Sequence, residues 1–180
     1  MTGAGGLEPA GLGREALAYV DGLHNLARYL TGNASEAEDL VQETYARALR
    51  AANQFTPGTN LKAWLFRILR NTFISDVRRR LASPVMGGLD TVMPSSQDVG
   101  DETWLRDDLE LERLRGVVAA EIEAALLRLS EDARTVILLD LEGLTEVEVA
   151  QVMDCAVGTV KSRLARARAA LRQHLKDYAR

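Results

Sequence analysis

TEVEVAQVMDCAVGTVKSRLARAR, residues Thr145–Arg168, is the stretch that decides the architecture of this chain. Thr145, with Glu148 three positions on, is a capping-box signature that opens a short helix running to Met153. Asp154-Cys155-Ala156 then forms a tight turn. Asp is one of the few residues other than Gly that tolerates the left-handed backbone such a turn needs. From Val157 the apolar residues Val160, Leu164, Ala167 and Leu171 recur at helical spacing along one side. A short helix, a three-residue turn and a longer basic helix make the helix-turn-helix pattern; a plain helical hairpin has the same periods. In the first arrangement the apolar stripe docks the second helix on its own domain, and the polar side enters a major groove. Gly158 and Thr159 put small residues at that helix's N-terminus, where backbone N–H groups can approach a phosphate. Thr159, Lys161, Ser162, Arg163 and Arg166 follow within two turns, where base edges and phosphates would lie.

Working upstream, helical periodicity continues and strand alternation is absent. Ser130 is placed to cap a helix carrying Val136 to Leu139, and Gly143 to stop it. A helix is expected from near Trp104 to about Leu129. Residues 83–105 hold Pro84, Gly87, Gly88, Pro94 and Gly100 and have the composition of a linker. Before it, a long helix is predicted from Leu61 to Ala82, with Trp64, Leu65, Ile68 and Thr72 on one stripe and Phe66, Leu69, Phe73 and Val77 on another. Apolar on two sides, it must be sandwiched between other helices. Thr56-Pro57-Gly58-Thr59-Asn60 is the loop before it. Ser35 with Glu38 reads as the cap of a further helix, and Arg14–Leu30 as the first one, with Leu17, Val20, Leu23, Leu26, Ala27 and Leu30 facing inward. The Gly-rich residues 1–13 read as a flexible lead-in. The fold class is therefore all-α: two small helical domains, 14–82 and 106–180, joined by a flexible acidic linker at 83–105, with a C-terminal helix-turn-helix.

The net charge of −4 argues against a polyanion partner, but its distribution argues for one. Residues 61–82 carry six basic side chains against Asp76 alone, and residues 156–176 carry six with no acid. Residues 83–112 between them carry eight acids against Arg106 alone. Two basic blocks around an acidic spacer suggest two surfaces on one nucleic acid, the alternative being solvated helix faces. The spacer is expected to let the two domains sit far apart once both are mounted on a shared partner.

Other classes find little support. One cysteine, Cys155, and two isolated histidines, His24 and His174, make neither a disulfide framework nor a Cys/His metal cluster. Cys155 reads as a small turn residue rather than a redox sensor. Neither a phosphate-binding G-x-x-x-x-G-K-[S/T] run nor a G-x-S-x-G elbow is present. An enzyme is disfavoured, no cofactor or metal is implied, no apolar run reaches membrane-spanning length, and the chain is read as cytoplasmic.

The segment Met153 to Arg168 resembles the C-terminal promoter-binding region of extracytoplasmic-function sigma factors, and Leu129-Ser130-Glu131-Asp132-Ala133-Arg134 with Leu141-Glu142-Gly143-Leu144-Thr145 is similar to the helices before it. Ala37-Glu38-Asp39-Leu40-Val41-Gln42-Glu43-Thr44 resembles that family's core-binding segment, and Trp64-Leu65-Phe66-Arg67-Ile68-Leu69-Arg70-Asn71 its promoter-melting helix. The resemblance covers most of residues 14–175. It implies that 14–82 is the family's region 2 and 106–180 its region 4. By it, Asp39, Gln42 and Glu43 face core RNA polymerase. Lys62, Arg67, Arg70, Asn71 and Arg78, with the loop from Phe55, meet the minus-ten element. Thr159, Lys161, Ser162, Arg163 and Arg166 meet the minus-thirty-five element. The implied partners are core RNA polymerase, promoter DNA and an anti-sigma factor, with no membrane insertion. A stand-alone helix-turn-helix regulator, binding duplex DNA as a dimer, explains the C-terminal third equally well but leaves the two N-terminal motifs without a role.

Overall fold

The computed structural model describes residues 9–82 and 106–176, with side chains from 11 to 82 and from 116 to 176. The acidic linker at 83–105 lies outside the described residues. Helices α1 (Pro9–Ala16), α2 (Val20–Thr31), α3 (Ala34–Arg50) and α4 (Leu61–Ala82) form the first unit. Helices α5 (Arg106–Leu127), α6 (Glu131–Leu141), α7 (Glu146–Met153) and α8 (Val157–His174) form the second. There is no strand among the described residues, so the all-helical class holds.

The N-terminal reading needs correction. Residues 9–13, expected in a flexible lead-in, belong to α1, and Leu12 is fully buried. Gly11 and Gly13 are poor helix formers, but the core contact of Leu12 overrides propensity, and Pro9 stands at the first helical position where its missing N–H costs nothing. The single helix expected from Arg14 is broken by a 3-10 turn at Leu17–Tyr19. That turn rotates Leu17 and Val20 out to solvent, at 62% and 39% exposure, while Leu23, Leu26 and Ala27 stay buried. Gly32, with φ of 68°, ends α2.

Asn33 caps α3 by accepting the Glu36 N–H at 3.1 Å, so the Ser35–Glu38 box predicted for this helix does not form. Both residue types cap well, and Asn33 is the one left in extended backbone just after the Gly32 turn. Asn60 plays the same part for α4: its Oδ1 accepts the Ala63 N–H at 3.3 Å and its carbonyl accepts the Trp64 N–H. Trp64 is half-buried and leans on buried Phe55, ring centroids 5.2 Å apart. The caps predicted in the second unit are found as read. Ser130 accepts from Ala133, and Thr145 with Glu148 makes both halves of the capping box.

Helix α4 is buried along Leu61, Ala63, Leu65, Phe66, Leu69 and Thr72. It packs on α2 and α3 of its own unit and on α7 of the other, while α2 also touches α6. The two-sided apolar pattern of α4 is thus satisfied partly across the units, which share one continuous apolar core. Val77, assigned to the second stripe, lies beyond this contact and is exposed. The buried hydroxyls of Thr44, Thr72 and Thr135 each donate to the carbonyl four residues back, so this core holds them without an unmet hydrogen bond.

Candidate nucleic-acid interface

In the second unit, Asp154 has φ of 52°, the left-handed geometry expected of the turn. That turn sets α8 across α7 with Val160, Leu164 and Ala167 buried and Lys161, Ser162 and Arg166 facing solvent. Thr159 is half-buried at the same end. The outward side chains are loosely tied. Lys161 reaches Glu146 at 3.5 Å, and the Arg166 Nε donates to the Ser162 carbonyl at 3.2 Å. Arg163 differs. It is 26% exposed and turned inward onto Asp132 of α6 at 2.6 Å, with its guanidinium 4.0 Å from the Cys155 Sγ. It sits at the edge of the apolar stripe, where a long side chain can brace the helix instead of leaving it. Arg168 makes a second brace to Asp140 at 2.7 Å.

In the first unit, Arg67, Arg70, Asn71 and Arg78 line the side of α4 that looks toward α7 and its turn. Arg67 borders a crevice with Val147, Gln151 and Cys155; Arg70, Asn71 and Arg78 border another with Met153 and Asp154. Asn71 is exposed. Lys62 is not free: its ammonium is 2.7 Å from the Glu142 carboxylate and also donates to the Glu142 carbonyl. Beside it, the Asn60 amide donates to Glu148 at 2.7 Å. Burial works against the charged form of Glu148, but hydrogen bonds from the Thr145 N–H, the Asn60 amide and the Thr145 hydroxyl outweigh it and hold its carboxyl below the usual range.

Asp39 and Glu43 share a cleft between α3 and α4 with Leu40, Phe73 and Val77, while Gln42 is exposed outside that lining. The hydrogen bond from Arg47 at 2.7 Å, helped by the charge of Arg50, keeps the Glu43 carboxyl below its ordinary value. An ion pair of 3.0 Å between Glu36 and Arg80 spans the same cleft from α3 to α4.

Three residues escaped the sequence reading. Arg134 donates to the carbonyls of Leu126, Leu127 and Leu129 at the end of α5 and to that of Tyr29 in α2. Glu142 and Asn60 form the bridges just described. The one local hint was Gly22 within α2: a Cβ there would fall 2.6 Å from the Glu142 carboxylate. An isolated Gly in a helix often marks such a close approach.

The family model for Sigma-70 region 2 matches residues 16–82, and that for Sigma-70, region 4 matches residues 119–171. The chain is 40% identical to the ECF RNA polymerase sigma factor EcfG of Rhodopseudomonas palustris over 158 residues, 87% of this chain and 81% of the relative. It is 31% identical to the ECF RNA polymerase sigma factor SigW of Bacillus subtilis, over 88% of this chain and 86% of that one. Among solved structures it is similar to the sigma factor RpoE of Bartonella quintana in complex with the anti-sigma factor NepR, with a TM-score of 0.65, 35% identity and coverage of 91% and 95%. It is also similar to CnrH in complex with the cytosolic domain of CnrY, at a TM-score of 0.59 and 27% identity. The region 2 match takes up the helices that a stand-alone regulator would need as its dimerisation or ligand module, so that alternative is not favoured. The chain belongs to the extracytoplasmic-function sigma factors of the sigma-70 family: it is an alternative sigma factor, a DNA-recognition subunit that directs RNA polymerase to promoters.

Proposed function

We propose that the chain divides promoter recognition between two helix faces and polymerase binding to a third. Lys62, Arg67, Arg70, Asn71 and Arg78, with the loop from Phe55, capture the minus-ten element. Asp39, Gln42 and Glu43 meet core polymerase. Thr159, Lys161, Ser162 and Arg166 read the minus-thirty-five element, and Arg163 holds α8 at its working angle through Asp132. The observation that carries this reading is the outward face of α8, where Lys161, Ser162 and Arg166 are exposed beside a buried stripe of Val160, Leu164 and Ala167.

Without ATP, a protein opens DNA only by binding extruded bases and the single strand better than the duplex. A loop over the start of α4, with cations along the helix behind it, is suited to that task. No helix among the described residues is long and apolar enough to cross a membrane, which supports work in the cytoplasm. An anti-sigma factor is the expected protein partner, as for the related RpoE in its complex with the anti-sigma factor NepR. The acidic linker keeps the two units on one tether. Run-off transcription with purified core polymerase on a promoter library tests the assignment. Core-dependent initiation should reveal two elements, and Arg166→Ala should relax selection within the upstream one alone. Unchanged selection after substituting each of Thr159, Lys161, Ser162 and Arg166 would end the α8 assignment.

A further inference from the structure

Helix α8 rests on a narrow strip of contact. Its buried residues are Val160, Leu164 and Ala167. At 3.6 residues per turn they fall within about 60° of the helix circumference. The apolar stripe of a core-facing helix spans about 100° or more. A strip this narrow resists sliding better than rolling. Two ion pairs flank it. Arg163 reaches Asp132 at 2.6 Å, and Arg168 reaches Asp140 at 2.7 Å. The same helical arithmetic sets the two arginines roughly 70° to either side of the strip's midline. Both acceptors belong to α6, Asp132 in its first turn and Asp140 in its last.

Helix electrostatics accounts for only one of these carboxylates. Asp132 lies near the positive end of α6, where an acid is favoured for that helix's own sake. Asp140 lies near the negative end, where an acid is disfavoured, and the Arg168 guanidinium offsets it. Each pair has one well-covered partner, Arg163 at 26% and Asp140 at 27% exposure, and one in solvent. Pairs this wet add little stability. Charge pairing of this kind fixes register more than it adds strength.

We propose that Asp132 and Asp140 are positioning residues that determine specificity for the minus-thirty-five element: they touch no DNA and set the roll of α8 about its own axis. This rests on the reading of α8's outer face above, and goes beyond the part given there to Arg163. A roll of about 10° carries the surface of a helix about 5–6 Å in radius through about 1 Å. Bidentate readout of a base edge tolerates about half of that. Rolling either way pulls one arginine off its carboxylate, so the two pairs together hold Lys161, Ser162 and Arg166 at one azimuth.

Holoenzyme binding tests it, read as the ratio of affinities for the preferred promoter and for promoters altered singly in the minus-thirty-five element. Asp132→Ala with Asp140→Ala should lower that ratio about tenfold and change the melting temperature little. Asp140→Arg alone should also lower it. Adding Arg168→Asp should restore it to within about twofold of wild type, a rescue that general loosening of the domain does not give. If the double alanine variant is unfolded at the assay temperature, the charge-swapped pair decides. An unchanged ratio in a folded double variant overturns the proposal, even where affinity falls evenly across all promoters. So does a swapped pair as unselective as Asp140→Arg. Arg166→Ala belongs in the same series. If it leaves the ratio unchanged, the α8 reading itself has failed; if it lowers the ratio and the alanine pair does not, the positioning role alone has failed.

Discussion

Lys62 at the start of α4 and Glu142 at the end of α6, 80 positions apart in the chain, are joined twice, by a 2.7 Å ion pair and by the Lys62 ammonium on the Glu142 carbonyl. Partial burial shields the pair from salt more than a surface pair, but its exposed remainder limits its strength. A double-mutant cycle of Lys62→Ala and Glu142→Ala, read by urea unfolding, should return a coupling of about 1 kcal/mol. Additive single effects would mean that the pairing with the Glu142 carboxylate contributes nothing.

Arg134 ends α5 and crosses to α2 with one guanidinium, donating to four carbonyls. Arg134→Met keeps much of the stem and removes every one of these donors. The loss should be about 2–3 kcal/mol of unfolding free energy, since hydrogen bonds from a charged donor are the stronger kind. Denaturant titration checks it; a loss near zero would show that water replaces the guanidinium freely.

Glu148 has its carboxyl held below the ordinary range by Thr145 and Asn60. A carboxylate with a lowered folded-state pKa adds stability above its unfolded pKa of about 4.3, and that stability is lost as pH falls through the folded value. Wild type should therefore lose melting temperature faster than Glu148→Gln as the solution is acidified below about pH 4.5. Parallel acid slopes for the two proteins would refute the linkage.

Arg166 and Lys161 share the outer face of α8, yet different losses are expected of them. Arg166→Ala should cost about 1–3 kcal/mol on the preferred minus-thirty-five sequence and little elsewhere. Lys161→Ala should weaken binding evenly across sequences and lower the salt slope by about one. Holoenzyme binding to wild-type and altered promoters, over a salt series, separates the two.

Phe66 is fully buried in α4, with Leu65 and Leu69 beside it also fully buried. Phe66→Ala should cost about 3–5 kcal/mol. Because one core runs through both units, it should lower a single melting transition rather than the first of two. Differential scanning calorimetry decides this.

The second unit was legible in the sequence because its signals are local. Ser130, the Thr145–Glu148 box and Asp154 each act within four residues, and the structure uses them as read. The N-terminus was less legible for the opposite reason. Leu12 is helical on account of what it buries against, and its Gly neighbours hide that. Ser35 was read as the cap of the next helix, but Asn33, in extended backbone just after the Gly32 turn, holds that position. Of the proposed site residues, Lys161, Ser162 and Arg166 point outward as their spacing implies. Arg163 sits on the border of the stripe, where periodicity cannot assign a side, and Asp132 decides it. The bridges from Lys62 to Glu142 and from Asn60 to Glu148 had no local signature; the excess apolar width of α4 announced only that some further helix must cover it.

Asp154 carries the one positive φ outside glycine among the described residues. A glycine at that corner would leave the unbound backbone a wider choice of shapes; a side chain narrows it. The recognition helix therefore meets its groove with its tilt already chosen. Little motional freedom remains to be surrendered on contact, and more of the contact energy is left to tell one sequence from another.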